Sequence, residues 1–433
     1  MISPFEVLIG FIILLGMMAA GVHVAVAIFS VSAIGTLMYL GLPLLYSFGD
    51  TLWGTLNNFL LTAIPLFILL GELLLRSGVT ERMYSALSVW LSRMPGGLLH
   101  TNIGASTVFA AMSGSSVATA ATIGTVALPA LSERGYNERL ALGTLAAGAT
   151  LGILIPPSIN MIIYGAITNT SIGKLFIAGI LPGLVLAGCF MLAIMAFSLL
   201  RPGVAGDAEP HVPLRQRLRS LADLLPPAFV FAIVIGSIYS GWATPTEAAA
   251  LGVVAALVLA AIYRKLTVRM LHECFLSMAR TTAMILLIIV AAFFMNYIVG
   301  ILGIPFTLTN WVADLGLTPL GLILVLVVFY LVLGCFLETL SMMIATVPIV
   351  VPMVVEFGYD PVWFGIFLVI MMEISLITPP IGMNLYVVQG VRGKGSITDV
   401  MLGSLPFLVI MLLFVLLIII WPGLVLWLPN AMG

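Results

Sequence analysis

Long apolar stretches recur along this chain, separated by short polar segments. A helix that crosses the ~30 Å hydrocarbon core of a bilayer needs about 20 apolar residues, and most of the stretches have that length. The first half of the chain has predicted spans at 4–20, 22–40, 52–75 and 175–200, and an amphipathic connector at 79–94. The second half has predicted spans at 224–241, 246–264, 274–302 and 401–428, and a connector at 305–315.

Four further apolar stretches are interrupted. Segments 98–131 and 319–355 are long enough for two short helices, and the first has a small, polar middle. This pattern predicts helical hairpins that enter and leave the membrane on the same side. Segments 140–166 and 362–390 each contain a double proline. Proline removes an amide donor and clashes with the preceding turn, so these two segments are predicted to be broken helices.

The interrupted segments occur twice at one spacing. Three landmarks of the first half return after 223 positions and a fourth after 224, namely Pro129 as Pro352, Gly135 as Gly358, Pro156 as Pro379 and Asn160 as Asn384. We therefore predict a first repeat at 1–200, a linker at 201–222 that is rich in Pro and Arg, and a second repeat at 223–433.

The distribution of basic residues predicts how the two repeats are oriented. Each hairpin returns to its own side, so each half crosses the membrane five times, and an odd number of crossings inverts the second half. Tracing the loops puts 15 of the 16 Lys and Arg residues on one side and only Lys174 on the other. Basic loops stay in the cytoplasm. The first hairpin is therefore predicted to open from the cytoplasm, the second from outside, and both termini to face outside.

Composition narrows the class of protein. The chain has 433 residues, of which 62% are hydrophobic and 8% charged, and this excludes a soluble globular protein. A formal net charge of −1 offers no basic face for nucleic acid. The three cysteines stand singly, without the spacing of a disulfide framework or metal site. There is no phosphate-binding loop, nucleophile elbow or HExxH pair, so we expect neither an enzyme nor a cofactor.

The repeated breaks suggest a binding site. Secondary transporters bind substrate and coupling ion near the midplane, at the breaks of discontinuous helices in inverted repeats. The breaks free carbonyl groups, and the facing hydroxyls complete a set of oxygen ligands, namely those of Ser115, Ser116, Thr119, Ser341 or Thr346. Such ligands suit a hard cation, and sodium is favoured because no compact cluster of Asp and Glu would suit a divalent ion. The amino ends of half-helices at Ser116 and Ser158 would attract an anion.

Acidic residues inside apolar runs are the second signal, because a carboxylate in the membrane is costly and faces a cavity or a partner. Glu338 lies in the second hairpin, at the level of Ser115 or Ser116 in the first, and is predicted to contact substrate, a cation or a proton. For Glu373 and Glu247 we predict a role in helix packing or at the interface. Glu72 is predicted to pair with Arg76, four residues later.

These residues resemble the large membrane subunit of the tripartite ATP-independent periplasmic (TRAP) transporters. The resemblance rests on SGSSVATAATIG, LGILIPPSINMIIYGA, GCFLETLSMMIATVPIVVP and ITPPIGMNLYVVQG, and the similar layout extends over nearly the whole chain. It implies an all-helical inner-membrane protein of bacteria that imports organic anions, such as C4-dicarboxylates or sialic acid, with sodium and by an elevator movement. It also implies two partners, a soluble periplasmic binding protein and a small four-helix membrane subunit, which we expect to be a separate chain. Both termini would then be periplasmic.

The resemblance also implies site residues. A first sodium site would use Ser115, Ser116, Thr119, Pro156 and Asn160. A second sodium site would use Thr339, Thr346, Thr378, Pro379 and Asn384. The organic anion would be bound by Ser115, Ser116, Asn160, Glu338 and Asn384. The family often has Asp where Glu338 stands.

Three alternatives stay open at this point. A stand-alone carboxylate and sodium symporter would need no binding protein, and an anion channel also lines its pore with broken helices. A membrane-embedded enzyme would need a nucleophile with a base, or a cluster of metal ligands, and neither is found in the sequence. The carboxylate that is carried, and whether sodium or a proton is the coupling ion, are not identified by the sequence.

Overall fold

The computed structural model describes residues 3–201, 203 and 212–432, and within them every regular element is a helix. The helices of the first half are α1 (Pro4–Ala19), α2 (Val24–Tyr39), α3 (Leu42–Leu45), α4 (Ser47–Leu56), α5 (Ala63–Arg76), α6 (Val79–Leu91), α7 (Leu98–Ser113), α8 (Ser116–Glu133), α9 (Glu138–Leu154), α10 (Ile159–Thr168) and α11 (Ile172–Leu200). Those of the second half are α12 (Leu214–Ser220), α13 (Leu225–Tyr239), α14 (Pro245–Ile262), α15 (Val268–Ile301), α16 (Ile304–Asp314), α17 (Pro319–Gly334), α18 (Thr339–Glu356), α19 (Pro361–Ile377), α20 (Met383–Arg392), α21 (Ile397–Ile420) and α22 (Gly423–Met432). Short 3-10 helices lie at Phe59–Thr62 and Leu221–Leu224.

The helices make a multi-pass membrane protein. Eight helical stretches of the described residues are long and apolar enough to cross a bilayer. The centre of the protein is formed by α9 and α19, which contact each other and are buried on all sides over 140–154 and 362–377. A helix that is apolar all round is stable only inside such a bundle. Around this centre pack α7, α8, α17, α18 and α21.

The predicted hairpins and broken helices coincide with pairs of helices. Within 98–131, α7 and α8 meet at Gly114 and Ser115, and within 319–355, α17 and α18 meet at 335–338. The double prolines separate α9 from α10 and α19 from α20. Both ends of α18 lie 223 positions after those of α8, and the same is true of α19 and α9.

Three predicted elements have different bounds in the structure. The predicted span 52–75 is divided at Asn57 and Asn58, and the Asn58 side chain accepts a hydrogen bond from the Leu60 amide at 3.0 Å. Asparagine competes for backbone groups in this way, which ends helices. The span predicted at 401–428 is divided at Pro422, which cannot donate a helical hydrogen bond. The span predicted at 274–302 begins earlier, at Val268.

The predicted linker 201–222 is partly helical. Residues 202 and 204–211 lie outside the described residues, but the remainder includes α12 and the beginning of a 3-10 helix. The Arg217 guanidinium lies 4.5 Å from the centre of the Trp90 ring in α6. The second part of the linker is therefore folded against the connector helix.

The loops that carry basic residues contact one another. The contacts are Arg82 over the Tyr263 ring, Arg217 over the Trp90 ring, and the ion pairs Arg76–Glu273, Arg139–Asp399 and Arg392–Glu138. The first three contacts and the last two form separate groups, and the hydrogen bond of the Leu98 amide, just after α6, to the Tyr136 hydroxyl, just before α9, joins them. Together they place the five loops at one end of the helix bundle, which we call the basic end. The predicted pair of Glu72 with Arg76 is also present there.

An ion-pair cluster at the basic end joins the two halves. Arg392, at the end of α20, contacts Glu138 of α9 at 2.8 Å and Asp399 of α21 at 3.3 Å, and Asp399 also contacts Arg139 at 2.9 Å. The hydrogen bond with Glu138, and then that with Asp399, raises the pKa of Arg392, so the guanidinium stays charged. Its side chain is only 6% exposed, and such a charge needs its partners.

We predict that Arg392→Gln lowers the free energy of unfolding by about 1–2 kcal/mol, because two hydrogen bonds to carboxylates are lost and both carboxylates stay half-solvated. The matched control is Arg269→Gln, which removes an i,i+4 pair with Glu273 from a side chain that is 90% exposed. That change is expected to cost at most about 0.5 kcal/mol. The melting temperature of the purified protein measures both. Equal losses in the two variants would contradict a special role for the Arg392 cluster.

Candidate functional site

The tip of the first hairpin is packed against the first proline break. Gly114 has a φ of +59°, and a Cβ placed on it would lie 2.6 Å from the carbonyl oxygen of Pro157. A Cβ on Gly152 of α9 would lie 2.9 Å from the backbone of Ser115. Only glycine allows backbones to approach so closely. The residues of this junction are buried except Ser115, which is partly exposed.

Local hydrogen bonds shape this tip. The Ser115 side chain accepts a hydrogen bond from the Ala118 amide, which caps α8. Thr119 donates to the Ser115 carbonyl at 2.7 Å, and its hydroxyl lies 3.1 Å from that of Ser113. Across the break, the Ser158 hydroxyl caps α10 and donates to the Ile153 carbonyl at 2.6 Å. Ser113 was not predicted as a site residue, although it begins the motif.

The tip of the second hairpin is packed in a similar way but is more open. A Cβ on Gly334 would lie 2.6 Å from the Cβ of Ser375, just before the second break. Glu338 caps α18, as Ser115 caps α8, and its carboxylate accepts hydrogen bonds from the amide and hydroxyl of Ser341 at 3.3 and 3.1 Å. Both Glu338 and Thr339 line a cavity of about 260 Å³. Its other walls come from the α1–α2 junction and the second break, with Met18, Val22, Val24, Ser341, Ser375 and Met383 among the lining residues.

A pair of hydrogen bonds crosses between the two halves. Asn384 of α20 and Ser116 of α8 are both buried, with the Asn384 amide nitrogen 2.7 Å and its oxygen 3.0 Å from the Ser116 hydroxyl. The same amide group donates to the Ala146 carbonyl of α9 at 3.1 Å. The structure thus joins Asn384 to Ser116, two residues that the resemblance assigns to different sodium sites.

The other predicted residues have partners of several kinds or none that an observed hydrogen bond identifies; Asn160 reaches across to the other half, and the two threonines bond within their own half. Asn160 is buried beside Met372 of α19, with its amide nitrogen 3.7 Å from the sulfur. The hydroxyl of Thr346 lies 3.0 Å from that of Tyr330, inside the second hairpin. Thr378 donates to the Ile374 carbonyl at 2.7 Å. Pro156 is buried at the first break, whereas Pro379 is partly exposed at the second.

Comparison with known proteins is consistent with this architecture. Residues 11–424 match the family described as "Tripartite ATP-independent periplasmic transporter, DctM component". The chain belongs to the DctM family of TRAP transporters. Its members include a C4-dicarboxylate TRAP transporter large permease protein of Pseudomonas aeruginosa, which is 37% identical over 383 residues, 88% of this chain and 89% of the relative. This confirms the resemblance, and the relatives are named as permease subunits and not as enzymes.

A second relative and one solved structure extend the comparison. A sialic acid TRAP transporter large permease protein of Vibrio cholerae is 35% identical over 378 residues, 87% of this chain and 88% of the relative. The YdaH transporter of Alcanivorax borkumensis has a similar fold, with a TM-score of 0.63 at 16% identity over 88% of this chain and 89% of that one. This likeness concerns the fold alone.

Glu373 of α19 is a fully buried acid of the DctM-family permease. Among the described residues no side chain donates a hydrogen bond to its carboxylate, which lies near the Leu154 backbone. An unpaired charge at such a site is very costly, so the side chain needs a proton or a cation. Glu247, by contrast, is exposed and completes a capping box with Thr244 at the start of α14.

We predict that Gly114→Ala impairs the permease because its methyl group would meet the Pro157 carbonyl. Gly135→Ala is the matched control, since Gly135 also has a positive φ, +67°, but has nothing within 4 Å of its Cβ position. Both variants carry the cost of a left-handed alanine, about 1–2 kcal/mol, and overpacking should cost Gly114→Ala about 1–3 kcal/mol more. Melting temperature and uptake measure the difference. Equal behaviour of the two variants would contradict the close packing of tip and break.

Proposed function

We propose that this permease imports a small carboxylate, such as a C4-dicarboxylate or sialic acid, together with sodium and by an elevator movement. The observation that carries the proposal is the packing of each hairpin tip on its own helix break, with the two halves joined by the hydrogen bonds between Ser116 and Asn384. A channel needs no such junctions, whereas a transporter binds its substrate near the midplane, at the broken helices of its two repeats.

The proposed architecture is a pair of inverted repeats. It is supported by the equal spacing of α8 with α18 and of α9 with α19. It is also supported by contacts that occur in both halves: α7 and α8 pack on α9 as α17 and α18 pack on α19, and α8 contacts α20 as α18 contacts α10. Each hairpin therefore contacts its own break and the second half-helix of the other repeat.

Sodium coupling is supported by the chemistry of the junctions. Backbone carbonyls, serine and threonine hydroxyls and asparagine amide oxygens are neutral oxygen ligands, which suit a hard monovalent cation. At the first junction Ser115, Ser116, Thr119, Pro156 and Asn160 would hold one ion. At the second, Thr339, Thr346, Thr378, Pro379 and Asn384 would hold another, with Asn384 shared because its amide reaches Ser116.

The substrate would bind at the cavity beside Glu338. The amino ends of α8 and α18 offer positive dipole ends to a carboxylate. A negative Glu338 next to an anion would be repulsive, so its charge must be compensated by a cation or a proton when substrate is bound. The choice of a C4-dicarboxylate or sialic acid follows the names of the relatives.

The elevator movement would carry the centre of the protein as one body. The moving part would consist of the two hairpins and the two broken helices, which contact one another closely. The remaining long helices, among them α2, α5, α14 and α15, contact one another and would form the scaffold. In this proposal the permease lies in the bacterial inner membrane with both termini in the periplasm. It receives substrate from a periplasmic binding protein and works with a small four-helix membrane subunit.

We expect uptake of the carboxylate into proteoliposomes that contain the permease, the small subunit and the binding protein, and we expect it to require an inward sodium gradient. Uptake that is unchanged when sodium is replaced by choline would refute sodium coupling. Transport by the permease alone would favour a stand-alone symporter. Flux without saturation would favour a channel.

Asn160→Ala and Asn384→Ala should each raise the sodium concentration for half-maximal uptake about tenfold, as expected for the loss of one ligand worth roughly 1.4 kcal/mol. Asn384→Ala should also lower the melting temperature, because it leaves Ser116 and the Ala146 carbonyl without their partner. The matched control for packing is Asn102→Ala, because Asn102 is also a buried asparagine, with hydrogen bonds to Tyr84 and Thr144, but belongs to neither proposed site. Wild-type sodium dependence in both asparagine variants would refute the site assignment.

A further inference from the structure

One helix face at the basic end is apolar and exposed. Leu214 and Leu218 of α12, Leu221 of the following 3-10 helix and Leu225 of α13 are between 40% and 66% exposed. Their spacing of four, three and four residues places them on one side of a nearly continuous helix. Phe229, a further four residues on, is 58% exposed and extends the stripe along α13. We call these five residues the leucine stripe.

Arginines flank the leucine stripe. Arg215 and Arg219 are exposed and lie one turn apart, beside the stripe. Arg217 lies on its other side, over the ring of Trp90 in α6. The contact with Trp90 fixes the rotation of α12, so the leucines point away from the protein and the two free arginines lie along their edge.

The position of the stripe identifies what covers it. It runs without interruption into α13, and Leu214–Tyr239 together form one of the apolar stretches that can cross a bilayer. The part of the stripe on α13 therefore faces the acyl chains of the lipids, and the part on α12 lies where the headgroups begin. Leucines in the acyl region and arginines at the level of the phosphates are the pattern of a membrane-spanning helix whose end passes through an anionic interface.

We propose that α12, at the headgroup level of the stretch that continues as α13, binds anionic phospholipids at the basic end of the permease. The leucines enter the boundary of the acyl chains, and the guanidinium groups of Arg215 and Arg219 bind lipid phosphates, which the planar Arg group does through two parallel hydrogen bonds. The leucine stripe and the two arginines have this role whether or not the proposed transport cycle is right.

The test uses the full-length permease in nanodiscs in which phosphatidylglycerol replaces phosphatidylcholine in steps. Amide hydrogen exchange of 214–221 should slow as the anionic fraction rises, and high salt should reverse this. Each basic residue near an anionic surface changes lipid affinity about fivefold. The double variant Arg215→Gln/Arg219→Gln should therefore lose roughly 30-fold in affinity and most of the protection.

The matched control is Lys265→Gln/Arg269→Gln, which removes the same charge at the same end of the protein and should keep the protection. Leu218→Gln should weaken protection in both lipids, because it acts on the apolar contact. Equal exchange in the two lipids for the wild-type protein would overturn the proposal. So would equal loss in the arginine and control variants, or protection that arises only when the small membrane subunit is present.

Discussion

A helix that stops inside a membrane leaves backbone groups that lipid cannot hydrogen-bond, and this permease stops two of them at its centre. Side chains next to the breaks satisfy part of this need. Ser158 binds the Ile153 carbonyl, and Thr378 binds the Ile374 carbonyl. The hairpin tips cover the remaining groups, and they can do so only because Gly114, Gly152 and Gly334 allow close approach. The backbone carbonyls freed at the breaks lower stability when they have no partner, and they are also oxygen atoms that an ion could use as ligands.

The two junctions are alike in construction but differ in exposure. At the first, Pro156, Pro157 and Ser116 are buried. At the second, Pro380 and Ile381 are exposed, and Glu338 lines a cavity whose opposite wall belongs to the α1–α2 junction. Glu338, the charged residue among those proposed for the site, thus stands at the open junction beside a cavity, and the residues proposed at the closed junction are all neutral. This division fits a substrate that binds between the moving part and the scaffold.

Local chemistry explains which features were predictable from the sequence. The ends of α9 and α19 at the breaks follow from the double prolines, and the start of α8 follows from the small polar tip of the first hairpin, because these residues act within a few positions. The contact of Asn384 with Ser116 was not predictable, since a repeat spacing relates equivalent positions and does not tell which half supplies the partner. The assignment of each asparagine to a sodium site at its own break stays a prediction. Helix α12 was not predicted either, because segment 201–222 is rich in Pro and Arg, which is typical of a linker. The signal for a helix there is the spacing of the leucines across 214–225.

The hydrogen bond between Ser116 and Asn384 has a consequence for how the protein is made. The two residues are 268 positions apart, so the ribosome releases the first hairpin and the first break long before α20 exists. During that interval Ser116 and the Ala146 carbonyl lack the partner that Asn384 provides. The central junction is then completed only when α20 has been inserted. Synthesis that stops before α20 would leave a first half with all its own helices and an unfinished centre.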